Sequence, residues 1–194
     1  MPRRGERRYE GRHHLVFRIG KIVDGKKEML CVIRDDSASG ISLKTFGEVE
    51  LPDAPSIELA NGRAIPVTKV WQQGTFSGFR FKQAISVDAF LNPQPKKKKR
   101  GLRLCVDEAI MVTDDEGMTY GRLLDISVQG AKFTLPEREL VGSDVRLMIP
   151  DLDLCRAQVR WSKDGAIGVT FYEDISFNLL ASWSARRFVG PQGR

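Results

Sequence analysis

The sequence predicts a mainly β protein: two tandem six-stranded antiparallel β-barrels, each followed by a helix, the second helix the longer. Three observations carry this. The chain resembles itself at a spacing of 90 residues, each half divides into short apolar-alternating segments with turn signals between them, and a proline-rich stretch sits mid-chain.

Sliding the chain by 90 positions aligns Asp35 with Asp125, Ser37 with Ser127, Gly40 with Gly130 and Trp71 with Trp161. It also aligns Gly78 with Gly168, Phe81 with Phe171, Ile85 with Ile175 and Ser86 with Ser176, eight identities over 52 gapless positions. They fall mostly on Asp, Gly, Trp and Ser, where chance and core patterning explain least. Upstream, an offset of 91 sets Arg12 on Arg103.

In the first copy the strand-like segments are Leu15–Ile22, Met29–Arg34, Ile41–Thr45, Ser56–Leu59, Ile65–Trp71 and Ser77–Lys82. In the second they are Ala109–Thr113, Tyr120–Leu124, Ala131–Leu135, Asp144–Ile149, Leu154–Trp161 and Ala166–Tyr172. Asp24-Gly25 and Glu116-Gly117 mark the first turn of each copy. Ser86 and Ser176 are candidate helix N-caps. After Ser176, the spacing of Phe177, Leu180, Trp183 and Phe188 predicts a helix that packs on the barrel mouth. Two prolines and the start of a lysine run at 92–97 place a linker at 92–98, between an N-terminal domain at 1–91 and a C-terminal domain at 99–194.

Composition narrows the function. Of 194 residues 41% are hydrophobic and 29% charged, values of a folded domain, and no apolar run is long enough to span a bilayer. The charged N-terminus carries no signal-like apolar stretch, so a cytoplasmic protein is expected. Cys31, Cys105 and Cys155 are scattered and odd in number, against a disulfide framework, and read as buried small hydrophobes. The only histidines are the adjacent His13 and His14, which argues against His-based catalysis and against a metal site. With no Cys-centred nucleophile arrangement and no Walker-type phosphate loop, an enzyme is not expected.

The net charge of +6 is concentrated in two clusters. Arg3, Arg4, Arg7, Arg8 and Arg12 lie in the first twelve residues, and KKKKRGLR fills 96–103, so a phosphate-bearing partner is expected. The run PKKKKR has the composition of a nuclear import signal, but its register with the first arm makes it a loop or linker segment.

In the first copy, Arg8 and Arg12 stand four apart and are followed by D-D-S-A-S-G at 35–40; in the second, K-R-G-L-R at 99–103 is followed by D-I-S-V-Q-G at 125–130. An RxxxR arm followed by DxSxxG on a small β-barrel resembles the PilZ domain, the bacterial receptor module for cyclic di-GMP. The Trp to GxxF spacing, Trp71 to Phe81 and Trp161 to Phe171, is similar to the closing strands of that family. The resemblance covers nearly the whole chain as a tandem. It implies ligand roles for Arg8, Arg12, Asp35, Ser37 and Gly40, and for Arg103, Asp125, Ser127 and Gly130 in the second copy. There Lys99 stands where the first arginine belongs and Arg100 is one residue out of register, so the first copy is expected to be the competent site and Lys99, Arg100 and Arg103 a weaker second one. Asp36 adds an acid to the first copy where the second has Ile126.

The chemistry is apt. Arginine offers a planar fork to phosphate or to the O6/N7 edge of guanine and can stack on a base. The aspartate accepts from guanine N–H groups, the serine hydroxyl reaches phosphate oxygen, and the glycine allows close approach or positive φ. Alone, Asp35 and Ser37 would read as turn residues; their recurrence with upstream arginines favours the ligand. Trp71 and Trp161 read as core aromatics rather than stacking platforms. The expected function is a receptor that signals to a downstream protein partner by moving its arm and its two domains, with no other cofactor. The alternatives are a PilZ-like interaction module without ligand, and a basic nucleic-acid-binding protein. The last is disfavoured because aromatics are not interleaved with the basic run.

Overall fold

The computed structural model describes residues 14–37, 39–59, 62–83, 101–136 and 140–189, with the main chain alone at 14–17, 35 and 36. The expected helix after Ser86 and the linker at 92–98 lie outside the described residues.

All twelve predicted strands form. They are β1 (His14–Asp24), β2 (Lys27–Ser37), β3 (Gly40–Lys44), β4 (Ser56–Leu59), β5 (Ala64–Gln73) and β6 (Phe76–Phe81), then β7 (Leu104–Asp114), β8 (Gly117–Ser127), β9 (Gly130–Thr134), β10 (Asp144–Met148), β11 (Cys155–Lys163) and β12 (Ala166–Phe171). Each set closes into an antiparallel barrel, β1-β2-β3-β6-β5-β4 and β7-β8-β9-β12-β11-β10. The described part of the chain carries one helix, α1 (Phe177–Val189).

The repeat at 90 residues is kept pair by pair. Lys21 pairs with Glu58 as Met111 pairs with Met148, and Gly40 with Arg80 as Gly130 with Thr170. Bulges recur at Leu15/Arg18 and Cys105/Glu108, at Ile33/Asp35 and Leu123/Asp125, and at Lys69/Trp71 and Val159/Trp161. Alternation puts Ile22, Met29, Cys31, Ile33, Leu43, Ile57 and Val67 inside the first barrel, and Ile110, Leu123, Phe133, Leu147 and Val159 inside the second. Strands β7 and β8 run well beyond the segments expected from apolar alternation. Their polar residues find partners on the outer face, Arg122 on Asp107 and Arg187 of α1 on Glu108.

The helix begins as predicted, with the Leu179 N–H donating to Ser176 Oγ at 3.2 Å. Its packing differs from expectation. Rather than resting on the mouth of its own barrel, α1 is wedged between the two. Leu180, Ala181 and Trp183 enter the core of the second barrel, and Trp183 Nε1 donates to the Pro150 carbonyl at 2.8 Å. Ala185 and Phe188, on another face, enter the core of the first. Phe177 meets Phe46 of the first barrel edge to face at 5.4 Å. The Leu30 N–H of β2 donates to Ser184 Oγ at 3.0 Å. A helix apolar around most of its circumference is satisfied only between two apolar surfaces.

Candidate functional site

The two DxSxxG motifs are hairpins. Ser37 ends β2 and Gly40 opens β3, and the two are paired across the ladder, as are Ser127 and Gly130. The serine hydroxyl donates to the glycine carbonyl, at 3.3 Å in the first copy and 3.2 Å in the second, and so fastens the turn. Ser127 is 4% exposed, which leaves its hydroxyl little access to a ligand. The glycines have a different reason from the one expected. Neither has a positive φ. A Cβ at Gly40 would stand 2.2 Å from the Phe79 carbonyl oxygen, and one at Gly130 2.2 Å from that of Val169. The motif glycine is required by the neighbouring strand of its own barrel.

Of the arm residues, Arg8, Arg12, Lys99 and Arg100 lie outside the described residues. Arg103 lies within them. The chain leaves Arg103 directly into β7, whose first residues pair with the end of β8, Leu104 with Ile126 and Cys105 with Asp125. This juxtaposition brings arm and hairpin to one end of the barrel. Arg103 Nη1 donates to Asp125 Oδ1 at 2.5 Å, and a Cβ at Gly101 would stand 4.0 Å from Gln129 Oε1 at the hairpin tip. The first barrel keeps the same main-chain frame, with Leu15 opposite Asp35 and His14 opposite Asp36. Since the offset of 90 holds as far as His14 and Leu104, the extra residue that aligns Arg12 with Arg103 falls at position 13.

The registers also define a row across the outer face: Cys105, Asp125, Lys132, Gly168, Trp161. Its counterpart is Leu15, Asp35, Ser42, Gly78, Trp71. Both tryptophans were expected in the core, and both are outside it, Trp71 48% and Trp161 43% exposed. Each indole lies over the glycine opposite, where a Cβ would fall 2.1 Å from a ring atom. Lys132 is thus a neighbour of the motif that spacing did not single out, and Trp161, singled out by its spacing to GxxF, is a neighbour on the outer face rather than a core residue. A signal was present: a glycine seven residues after a tryptophan, across a tight hairpin, occurs in both copies. Cys105 likewise departs from expectation and is exposed, whereas Cys31 and Cys155 are buried.

Behind the arm, the first barrel grips its main chain. Lys21 Nζ lies 2.9 Å from both Glu28 carboxylate oxygens, 3.4 Å from Glu58 Oε2, and donates to the Arg103 carbonyl at 3.1 Å. Glu28 Oε2 accepts the Cys105 N–H at 2.7 Å. Burial pulls the Lys21 pKa down, but the hydrogen bond and charge of Glu28 and the charge of Glu58 outweigh it, and the ammonium is held above its ordinary value. Among the described residues no group of three His, Cys, Asp or Glu side chains is placed to hold a metal ion, and no helix is long and apolar enough to cross a membrane.

The sequence profile of the PilZ domain matches residues 97–184, which span the arm, the second barrel and most of α1. The second barrel matches the PilZ domain over its whole length. The first, with its pairings repeated at the offset of 90, is its PilZ-like counterpart. Among solved structures the chain is similar to the Borreliella burgdorferi PlzA protein in complex with c-di-GMP, with 11% identity, covering 90% of this chain and 88% of that one, at a TM-score of 0.38. It is similar to the Bacillus subtilis inhibitor of motility MotI/DgrA, with 12% identity, 90% and 97% covered, at a TM-score of 0.38. Escherichia coli YcgR in complex with c-di-GMP follows with 9% identity, 89% and 82% covered, at a TM-score of 0.30. No curated protein matches the sequence.

Proposed function

We propose that the chain is a non-enzymatic receptor for cyclic di-GMP, with a ligand site where each arm meets its DxSxxG hairpin. The observation that carries this reading is the Arg103–Asp125 pair, which joins the two halves of the motif within the span that matches the PilZ domain. Arg103 and Arg100 supply guanidinium forks for phosphate and for the guanine O6/N7 edge, and Lys99 adds charge. Asp125 accepts from guanine N–H groups once the ligand takes over its arginine. Lys132, next in the row, faces a phosphate, and the exposed indole of Trp161 offers a base a stacking surface. In the first copy Arg8, Arg12 and Asp35 take the same parts, and Trp71 offers the second indole. Ser37, Ser127, Gly40 and Gly130 shape the hairpin on which these groups sit. The receptor works in the cytoplasm and passes the signal to a protein partner.

The test is calorimetric titration with cyclic di-GMP of the wild type beside Arg8→Ala/Arg12→Ala and Arg100→Ala/Arg103→Ala. Binding abolished in one double variant assigns the site to that copy; binding weakened in both assigns two sites. Trp161→Ala is expected to weaken the second site about tenfold or more, the worth of one base stacked on an aromatic ring. A folded wild type that releases no heat at high micromolar ligand refutes the receptor reading.

A further inference from the structure

The internal repeat provides a comparison within one chain. The outer face of β1, β2 and β4 carries Lys21, Glu28, Leu30 and Glu58; adding 90 gives Met111, Met118, Tyr120 and Met148 on β7, β8 and β10. Three charged residues of one face are thioethers on the other, while the strands and registers are the same.

The two faces differ in what covers them. In the first barrel the face is buried: Leu30 is 2% and Lys21 4% exposed. The start of β7 and helix α1 lie on it, and Ser184 Oγ takes the Leu30 N–H. That N–H is available because β2 runs past β3, whose last pairing is Val32 with Lys44. In the second barrel β8 runs past β9 in the same way, the last pairing being Arg122 with Thr134. Here, however, Tyr120 is 73%, Met118 59% and Met148 50% exposed. Met111 lies opposite both Tyr120 and Met148, so the four side chains form one patch rather than scattered apolar residues.

We propose that this methionine and tyrosine face is a docking site for an amphipathic α-helix of a protein partner. The occupant is argued from the sister face, whose identical strand frame already seats α1, the Ser184 hydroxyl taking the Leu30 N–H. The incoming helix presents an uncharged stripe, because no ammonium or carboxylate stands at the three positions that are charged in the first barrel. Methionine side chains are flexible and polarizable and mould to such a stripe, and Tyr120 supplies a rigid amphipathic anchor. Arg146, exposed two residues before Met148 on the same face, favours an acidic residue on the helix flank. This surface is independent of the ligand site.

The experiment is a selection against the full chain from a display library of helix-forming peptides of about 16 residues. Enriched peptides are then titrated onto wild type, Tyr120→Glu, Met148→Glu and, as a control at an exposed apolar residue elsewhere, Val70→Glu. Expected are peptides with apolar residues at i, i+3, i+4 and i+7 whose binding falls at least about tenfold in the first two variants and is unchanged in the control. Cyclic di-GMP titrations of the same variants are expected to match the wild type. No enrichment of such peptides, or binding insensitive to Tyr120→Glu and Met148→Glu, overturns the proposal. So does light scattering that shows a wild-type dimer converted to monomer by Tyr120→Glu, since the face then belongs to a second copy.

Discussion

Lys21 joins Glu28, Glu58 and the Arg103 carbonyl, so Lys21→Met is a sharp perturbation of the joint between the barrels. The substitution leaves the Glu28 carboxylate, 11% exposed, and that of Glu58, 25% exposed, without the ammonium that pairs with both. Removing one partner of a buried pair costs about 3–5 kcal/mol. The partial exposure of Glu58 and the retained Cys105 N–H set the expected loss at the lower end, about 3 kcal/mol. For a chain of this length that is a drop in Tm of roughly 6–12 °C. The second barrel supplies the control, since it holds methionine at all three equivalent positions. Lys21→Met/Glu28→Met/Glu58→Met removes the charges together and forfeits mainly the bonds to Arg103 and Cys105, for an expected loss of about 1–2 kcal/mol. The assay is urea unfolding followed by tryptophan fluorescence, with thermal melts beside it. A loss under about 1 kcal/mol for the single variant, or a triple variant less stable than the single one, refutes the account.

Four further outcomes are expected. Gly130→Ala forces a Cβ to within 2.2 Å of the Val169 carbonyl oxygen, and an overpacking loss of about 1–3 kcal/mol or more is expected in the melting curve with or without ligand. Ser184→Ala strands the buried Leu30 N–H and should destabilise the chain by about 1–3 kcal/mol in denaturant titration. Burial pushes the Cys31 thiol up to about 12 and the Cys155 thiol up to about 11. Thiol titration with an aromatic disulfide at pH about 8 should therefore find one reactive group, Cys105, in the folded protein and all three after unfolding. Lys21 has a folded pKa above its unfolded value. Its stabilisation is complete below about pH 10.4 and is lost as pH rises through the folded pKa, so melts of wild type and Lys21→Met should converge only in strong alkali.

Much of this molecule was legible before any coordinate. Alternation with period two, Asp-Gly and Glu-Gly turns, and the 90-residue repeat determined twelve strands and their division into two barrels, because strand direction and turn conformation are local properties of the chain. In the second copy the meeting of Arg103 with Asp125 of the DxSxxG hairpin was legible too, since the two sit at the ends of adjacent strands. Contacts between distant segments were not. Only closure of the barrel shows that Gly40 and Gly130 answer to a carbonyl on β6 and β12, or that Trp71 and Trp161 lie over a glycine on the outer face rather than in the core. Residues in the helix were visible as an apolar stripe, but an apolar stripe does not say whose surface it meets. Packing assigned Ala185 and Phe188 to one barrel and Leu180 and Trp183 to the other. Likewise Lys21 and Met111 are unremarkable in sequence, and their difference acquires meaning only because tertiary structure buries one face and leaves its counterpart open.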